Sequence, residues 1–269
     1  MDAAGEFLPF HSGRIVVIPG GRPHAFRVDF APEALTARGV LARISECFAS
    51  NDTPILSLHV TGRPGEPFWA FIACEPPDSK AVERIRECLA KTPYVKGVEH
   101  SPPVIEGVAV DAWGFPPLLG GIRAVIFREP VLREFLLYGW RHMGTGFGYI
   151  LYHTFFDSGA AMHREFYSRL ARRREDQARL LEHVFRLTGY GVLEVAEFTD
   201  WRFAARVYDS VECKHLGEIE EAESMMIRGL LAGFVAASWG VGREGVEPRE
   251  TKCIKRGDPY CEFVITRRV

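Results

Sequence analysis

The sequence predicts a two-domain α+β protein, with an N-terminal βαββαβ domain at 1–100, a linker at 101–121 and an α/β domain at 122–269. The length of 269 residues exceeds one average domain, and each part is long enough to bury its own core. Strand and helix patterns alternate through the first hundred residues, whereas helical patterns follow the linker. Clusters of proline and glycine at 101–103 and 114–121 separate the two parts.

Six elements are predicted in the N-terminal domain. The spacing of Val40, Ile44 and Phe48 is typical of a helix with one buried face. The run Pro76-Pro-Asp-Ser79 breaks the chain and offers an N-cap to a second helix. The elements have the ferredoxin-like order, with both helices on one face of an antiparallel sheet: strand 24–30, helix 38–50, strands 55–60 and 68–74, helix 80–91 and strand 95–100.

The run Arg38-Gly-Val-Leu-Ala-Arg-Ile44, followed by Ile55-Leu-Ser-Leu-His59, resembles an ACT domain, in which a glycine opens the first helix. The resemblance covers roughly residues 12–100 and makes this an ACT-like regulatory domain. It implies that an amino acid or a similar small ligand binds in the loop around Gly39, usually across a dimer interface. In the alternative, Gly39 only lets the helix pack closely, and the domain is a dimerisation block.

The second domain is predicted to contain four helices and four strands. A dense charge run between Arg169 and Arg179 alternates with apolar positions, which is typical of a solvated helix face over an apolar stripe. Gly229 and Gly233 lie four residues apart on one face of a helix, which favours close packing of that helix against the sheet. The predicted elements are helices 129–143, 144–156, 160–187 and 221–239 and strands 192–198, 203–211, 246–254 and 260–266.

Three runs near the C-terminus carry a second resemblance: Val211-Glu-Cys213, Ile227-Arg-Gly-Leu-Leu-Ala-Gly-Phe234 and Glu250-Thr-Lys-Cys-Ile-Lys-Arg-Gly-Asp-Pro-Tyr-Cys-Glu-Phe263. Together they resemble the 4-vinyl-reductase-like (hydrocarbon-binding) domain, which also forms the aromatic-sensing module of phenol- and xylene-responsive transcription activators. The resemblance implies an α/β fold with a mostly apolar cavity between sheet and helices. It also implies homodimers and the binding of small apolar or aromatic compounds.

Two cysteines and a glutamate in the last run are candidate zinc ligands. Cys253 and Cys261 lie on two strand patterns joined by a tight-turn composition, Arg256-Gly-Asp-Pro259, so a hairpin would bring their thiols together. Glu250 lies three positions before Cys253, and zinc prefers four tetrahedral S, N or O ligands. A disulfide between the two cysteines, or simple burial of both, are the alternatives.

The resemblance implies that Glu250, Cys253 and Cys261 hold a structural zinc ion with one further cysteine. That cysteine lies at the start of the helix bearing the two glycines, where this chain has Ser224. Cys213 is the nearest substitute for the fourth ligand, and His215 is a second option.

Aromatic and histidine side chains of the second domain are candidates for lining the ligand cavity, because pockets combine apolar walls with a few polar groups. The resemblance implies a Trp and a His that hold a phenolic hydroxyl, and Trp201 and His183 are the candidates for this pair. For each residue taken singly, core packing is the alternative. The predicted ligand-binding residues are Trp201, His183, Tyr152, Phe156, Phe203 and Tyr208.

The charge and the motifs narrow the function classes. A formal net charge of −2 gives no electrostatic reason to expect nucleic-acid binding. The longest uncharged apolar stretch, 229–242, is too short to cross a bilayer, and the first residues show no secretory pattern, so we expect a cytoplasmic protein. The six cysteines are then expected to be free thiols or metal ligands, unless the source is a hyperthermophile. Asn51 and Gln177 are the sole amide side chains, which is a reported feature of thermophile proteins.

The sequence therefore predicts a non-enzymatic sensor of a small apolar or aromatic ligand that acts as a homodimer and through a regulatory partner protein. A tetrapyrrole vinyl-reductase-type enzyme or accessory protein is the first alternative, although no nicotinamide or flavin fingerprint is visible. A dimeric assembly module without a ligand is the second alternative.

Overall fold

The computed structural model describes residues 14–217 and 219–268, which fall into two compact units, 14–117 and 118–268. Residues 1–13, which include the start of the predicted first domain and the segment without a secretory pattern, lie outside the described residues. The predicted linker, 101–121, spans the division between the units. Its first part contains a strand of the N-terminal unit, and its last part enters a short hairpin of the C-terminal unit.

The N-terminal unit is built on a four-stranded antiparallel sheet with the ferredoxin-like order β3-β4-β2-β5, which confirms the predicted βαββαβ arrangement. Side chains of α1, α2 and one sheet face form its main core. Its elements are β1 Ile15–Val17, β2 His24–Phe30, α1 Val40–Ala49, β3 Ile55–Thr61, β4 Phe68–Cys74, α2 Ser79–Lys91, β5 Val95–Ser101 and β6 Val108–Val110.

Local chemistry sets the ends of the two helices. Helix α2 begins after Asp78, whose side chain accepts a hydrogen bond from the Ala81 amide at 2.7 Å, so the predicted N-cap is present. Helix α1 begins after Gly39, whose φ of 79° lies in the left-handed region that favours glycine. Among the described residues, no atom lies within 4 Å of a Cβ built at Gly39. Within the chain, Gly39 is therefore needed for its backbone conformation and not for close packing, and packing against a second copy stays a prediction.

A disulfide between Cys47 and Cys88 joins α1 to α2. The expectation that all six cysteines are free thiols or metal ligands is therefore wrong for this pair. The helices lie side by side on one sheet face, and this brings two cysteines that are 41 residues apart in sequence within bonding distance. The other four cysteines are free and buried.

A two-stranded antiparallel ribbon, β1 with β6, covers part of the opposite sheet face. Val16 and Ala109 of the ribbon pack with Phe71 and Ala73 in a small second core. The sheet therefore has apolar residues on both faces. Strand β4 is almost entirely buried for this reason, and it has a continuous apolar sequence instead of an alternating one.

The C-terminal unit packs helices against a four-stranded antiparallel sheet of order β11-β12-β10-β9. Helix α8 is buried on nearly every side, because α4 lies on one side of it and the sheet on the other. The elements are β7 Leu118–Leu119, β8 Ile122–Arg123, α3 Glu129–Met143, α4 Thr145–Met162, α5 Ser168–Leu170, α6 Arg174–Leu187, β9 Val192–Phe198, β10 Arg202–Tyr208, α7 Val211–His215, α8 Met225–Trp239, β11 Val246–Lys252 and β12 Cys261–Arg267.

The predicted continuous helix 160–187 is wrong. Helix α4 runs on to Met162 and passes into a π-helical turn, His163–Tyr167, and the chain then breaks at Ala171, which has extended backbone angles, before α6 begins. The predicted strand 203–211 ends at Tyr208, and the short helix α7 follows it with Ser210 as its N-cap. Periodicity missed the π turn because apolar residues continue through it at helix-like spacing.

The two glycines of α8 pack against a helix rather than the sheet, so the predicted packing partner is wrong. A Cβ at Gly229 would lie 2.4 Å from the Tyr152 carbonyl oxygen, and one at Gly233 would lie 1.9 Å from that of Phe156. Gly159 of α4 packs against the backbone of α8 in the same way, since a Cβ built at Gly159 would lie 2.1 Å from the Leu230 carbonyl oxygen. Glycine is therefore required where the α4 and α8 backbones touch. Across the described residues, no helix combines the length and hydropathy that a bilayer span requires.

Candidate metal centre and ligand cavity

The candidate metal centre is a cluster of three thiols and one carboxyl group, formed by Cys213, Glu250, Cys253 and Cys261 and named here the Cys/Glu cluster. Cys253 Sγ lies 3.5 Å from Cys213 Sγ and 3.9 Å from Cys261 Sγ. Cys213 Sγ lies 4.0 Å from a Glu250 carboxylate oxygen. One potential ligand atom from each residue lies within 4.8 Å of all the others. The structure therefore brings all four predicted metal ligands together.

The spacing of the cluster fits a tetrahedral zinc ion. Zinc–sulfur bonds of about 2.3 Å in tetrahedral geometry place neighbouring sulfurs roughly 3.8 Å apart. The separations of Cys253 Sγ from Cys213 Sγ and from Cys261 Sγ, 3.5 and 3.9 Å, bracket this value. Because four protein ligands leave no open position, such an ion would have a structural role. The sulfurs of Cys253 and Cys261 are not bonded, so the alternative disulfide is not formed.

The electrostatics of the cluster favour a cation at its centre. Burial raises the pKa of Glu250 to about 8. Hydrogen bonds with Cys213 and Cys261 lower the pKa of Cys253. The hydrogen bond with Cys253, together with burial, raises the pKa of Cys213. Four acidic groups this close cannot all ionise without a compensating charge. A divalent ion would supply that charge, and protons would be released as it binds.

A tight turn holds Cys253 and Cys261 in place. The Cys253 amide donates to Asp258 Oδ2 at 2.8 Å, and Gly257 turns the chain with a φ of 90°. Lys255 Nζ donates to backbone carbonyls of the segment before α8, including that of Ala222 at 2.7 Å. The turn between Cys253 and Cys261 therefore also anchors the hairpin to the segment that precedes α8.

The fourth member of the Cys/Glu cluster is Cys213, the first of the two predicted substitutes. Ser224, at the position where the resemblance implies a cysteine, donates instead to Glu212 Oε2 at 2.9 Å. His215, the second option, lies 3.0 Å from Glu129 Oε1 and outside the cluster. Burial raises the pKa of Glu212 to about 7, and its carboxyl group accepts hydrogen bonds from the Met226 and Ile227 amides. Cys213 is therefore positioned by a neighbour that caps α8.

A small cavity lies between the end of α4, α6 and α8. Its volume is about 10 Å³, which is room for about one water molecule. None of the described residues that line it is charged. The walls are mainly apolar and aromatic side chains, among them Met162, Tyr167, Leu181, Phe185, Leu230 and Phe234.

The π turn supplies two buried polar groups beside this cavity. Tyr167 is 1% exposed and lines the cavity, and His163 is 6% exposed and packs edge-on against Phe234, with ring centroids 5.2 Å apart. His163 Nε2 lies 3.2 Å from Gln177 Oε1. The Tyr167 hydroxyl and His163 Nδ1 have no hydrogen-bond partner among the described residues. These residues were not predicted, although their i, i+4 spacing was a usable signal.

The six predicted ligand-binding residues do not form one site, and none of them lines the cavity. Trp201 is 59% exposed and lies under the Arg267 guanidinium, and His183 is exposed on α6, so the predicted Trp–His pair is not buried. Tyr208 donates to Glu194 at 3.0 Å. Phe156 and Phe203 belong to the core that contains the cavity walls, and Tyr152 packs against that core.

Comparison with solved structures adds a likeness for each unit. The ACT domain of a GTP pyrophosphokinase from Chlorobium tepidum is 15% identical over 29% of this chain and 96% of its own, with a TM-score of 0.25. The phenol-responsive sensory domain of the transcription activator PoxR with phenol is 15% identical over 56% of this chain and 79% of its own, with a TM-score of 0.47. A vinyl-4-reductase family protein from Methanocaldococcus jannaschii is 17% identical over 54% of this chain and 85% of its own, with a TM-score of 0.37.

The sequence itself matches one family. No curated protein matches the chain significantly. Residues 203–267 match the family model of the 4-vinyl-reductase domain. This segment contains all four residues of the Cys/Glu cluster. The match places a 4-vinyl-reductase-domain segment in the C-terminal unit, as the second resemblance implied, and a unit of ferredoxin-like βαββαβ order precedes it.

Proposed function

We propose that this protein is a small-molecule sensor whose C-terminal unit binds an apolar or aromatic ligand between α4, α6 and α8. The observation that carries the proposal is the apolar cavity at this place in a unit that contains the 4-vinyl-reductase domain. Apolar walls with a few polar groups are typical of small-molecule sites. The cavity is much smaller than any organic ligand, so binding requires that one wall moves.

Helix α6 is the wall that moves in this proposal. The break at Ala171 and the π turn separate it from α4. It packs along β9, where Glu182 accepts a hydrogen bond from the Val195 amide at 2.7 Å, and it contributes Leu181 and Phe185 to the core and to the cavity wall. A ligand that fits only the open arrangement shifts the population toward it, which is how a minor conformation becomes a signal.

The signal passes to a second copy or to a partner protein through α3 in this proposal. Val131, Phe135 and Tyr138 lie four and three residues apart on α3, and each is more than half exposed. An exposed apolar stripe of this kind is typical of protein–protein contacts. A homodimer is the expected assembly, and Phe135→Glu should convert it to a monomer in sedimentation velocity experiments. A wild-type protein that sediments as a monomer would contradict this part of the proposal.

Zinc has a structural role in the proposal. Cys213, Glu250, Cys253 and Cys261 would hold the ion and so tie α7 to the terminal hairpin. The ion supplies the positive charge that lets the buried thiolates and carboxylate coexist. Metal analysis of the purified protein should find one zinc ion per chain, and Cys261→Ser should lower that content. A zinc-free protein that melts at the same temperature after zinc is added would contradict this role.

Ligand binding is tested with a panel of apolar compounds and a pair of matched variants. A binding compound should raise the melting temperature, because it stabilises the folded state by mass action. Val184→Phe fills the cavity and should abolish binding, whereas Leu187→Phe on the exposed side of α6 should not. Val184→Ala, which enlarges the cavity, should bind more tightly. Equal binding by all these variants would place the ligand elsewhere.

We treat the chain as a binding protein and not as an enzyme. Cofactor-dependent turnover of a vinyl tetrapyrrole by the purified protein would overturn this part of the proposal. If the Val184→Phe variant, in which the cavity is filled, kept the same turnover, the catalytic site would lie outside the cavity.

A further inference from the structure

We infer that the ligand of the cavity is an uncharged molecule with one hydroxyl or carbonyl group, recognised by Tyr167 with His163 beside it. The inference rests on the proposed function, because it specifies the chemistry of the same site. It is carried by two polar side chains that are deeply buried and have atoms without a hydrogen-bond partner among the described residues.

The π turn is what aims these side chains inward. His163 and Tyr167 are four residues apart, and both contact the Phe234 ring, with centroid distances of 5.2 and 5.0 Å. Phe234 and Tyr167 both line the cavity. The widened turn therefore places the Tyr167 phenol in the cavity wall and the His163 imidazole against Phe234, which is another wall residue, and π-helical turns are frequent at functional sites.

Neighbouring hydrogen bonds determine which atom of His163 is free to accept. Gln177 Nε2 donates to the Ala171 carbonyl at 3.0 Å, which orients the amide and leaves Oε1 as an acceptor. Ser238 Oγ donates to that oxygen at 3.2 Å, and His163 Nε2 lies at the same distance from it. Nε2 must therefore carry the proton, and Nδ1 of the neutral ring is an acceptor. The unpartnered groups are thus one hydroxyl and one acceptor nitrogen.

A ligand hydroxyl complements this pair. It can accept a hydrogen bond from the Tyr167 hydroxyl and donate one to His163 Nδ1, and a carbonyl can accept from Tyr167 alone. A buried polar group without a partner destabilises the fold, so a ligand that supplies the missing partner gains affinity that a hydrocarbon of the same shape does not.

The surroundings exclude charged ligands. In the part of the chain that the structure describes, no Asp, Glu, Lys or Arg lines the cavity. Burial raises the pKa of Tyr167 and of Tyr190, and it lowers the pKa of His163, so all three stay neutral near pH 7. A carboxylate or an ammonium group would lie here without a counter-charge, which is strongly unfavourable. Fatty acids and amino acids are therefore poor ligands for this cavity.

Matched compounds test the inference on the full-length protein by isothermal titration. Cyclohexanol and cyclohexanone should each bind at least roughly tenfold more tightly than methylcyclohexane, the value of one well-placed buried hydrogen bond. Cyclohexanecarboxylate should not bind. Tyr167→Phe should remove the preference for cyclohexanol, while Tyr149→Phe, a control at a position that is 65% exposed, should keep it.

The melting temperature of the Tyr167→Phe variant without ligand gives a second test. If the Tyr167 hydroxyl waits for a ligand, Tyr167→Phe should fold and melt at or above the wild-type temperature, because it removes an unsatisfied buried group. A large loss of stability would mean that the hydroxyl has a structural role and would overturn the inference. Equal affinity for methylcyclohexane and cyclohexanol would overturn the inference and leave the proposed function standing. Binding of none of these compounds, nor of any apolar compound, would overturn both.

Discussion

Replacement of Gly233 by alanine tests the close contact between α4 and α8. The added Cβ would lie 1.9 Å from the Phe156 carbonyl oxygen, whereas real Cβ atoms essentially never approach closer than 3.0 Å. The two backbones must therefore separate by more than about 1 Å, and this opposing atom cannot rotate away. Overpacking of this kind destabilises by about 1–3 kcal/mol, and a backbone clash lies at the upper end. Alanine regains about 1 kcal/mol of helix propensity. The expected net loss is about 2 kcal/mol.

The assay is thermal unfolding followed by circular dichroism. A loss of about 2 kcal/mol should lower the melting temperature of the C-terminal unit by about 4–8 °C for a unit of this size. Gly146→Ala is the matched control, because Gly146 lies in α4 and no atom lies within 4 Å of its Cβ position. This control should melt at or above the wild-type temperature. If Gly233→Ala did so as well, the helices would not pack as described.

Three further outcomes are expected. Loss of the disulfide in a Cys47→Ser, Cys88→Ser double variant should lower the free energy of unfolding by about 4 kcal/mol, from loop entropy over 41 residues, and an unchanged denaturation midpoint would refute this. Burial lowers the pKa of His163, so its contribution to stability is complete above its unfolded pKa of 6.5 and is lost as the pH falls below that value. The loss of stability from pH 7.5 to 5 should therefore be smaller in His163→Asn than in the wild-type protein. Identical pH profiles of stability for the two proteins would contradict this role of His163. Zinc binding to the Cys/Glu cluster should release protons, because thiols bind zinc as thiolates, and titration heats at pH 7 that are the same in buffers of different ionisation enthalpy would contradict this.

The six elements predicted in the N-terminal unit lie within one or two residues of their observed bounds, whereas β1 and β6 were not predicted as strands. Strands β2 and β4 have the predicted bounds, and α2 begins at the predicted break, because prolines and an Asp cap mark these ends. The Cys47–Cys88 bond was not predicted. It depends on how two helices lie beside each other on the sheet, and no pattern within either helix records that.

In the candidate site, likewise, one part was predicted from the sequence and another was not. The Cys/Glu cluster could be predicted because a local hairpin and a resemblance together place its ligands, including Cys213 as the substitute for Ser224. The cavity could not be predicted, because its walls come from three helices that are distant in sequence. Trp201 and His183 were chosen by residue type, and both are exposed. The i, i+4 spacing of His163 and Tyr167 places both on one helix face, but it does not show that this face lies at the cavity.

The ribbon of β1 and β6 determines where the N-terminal unit can be cut from the rest of the chain. Its two strands come from either side of the ferredoxin-like segment, and Val16 pairs with Ala109. A truncated version that kept only 24–101 would lose both strands and expose Phe71 and Ala73 to water. Such a fragment should aggregate through its bare sheet face. A version that retains 14–117 keeps the ribbon, and it should stay monodisperse when the unit is studied alone.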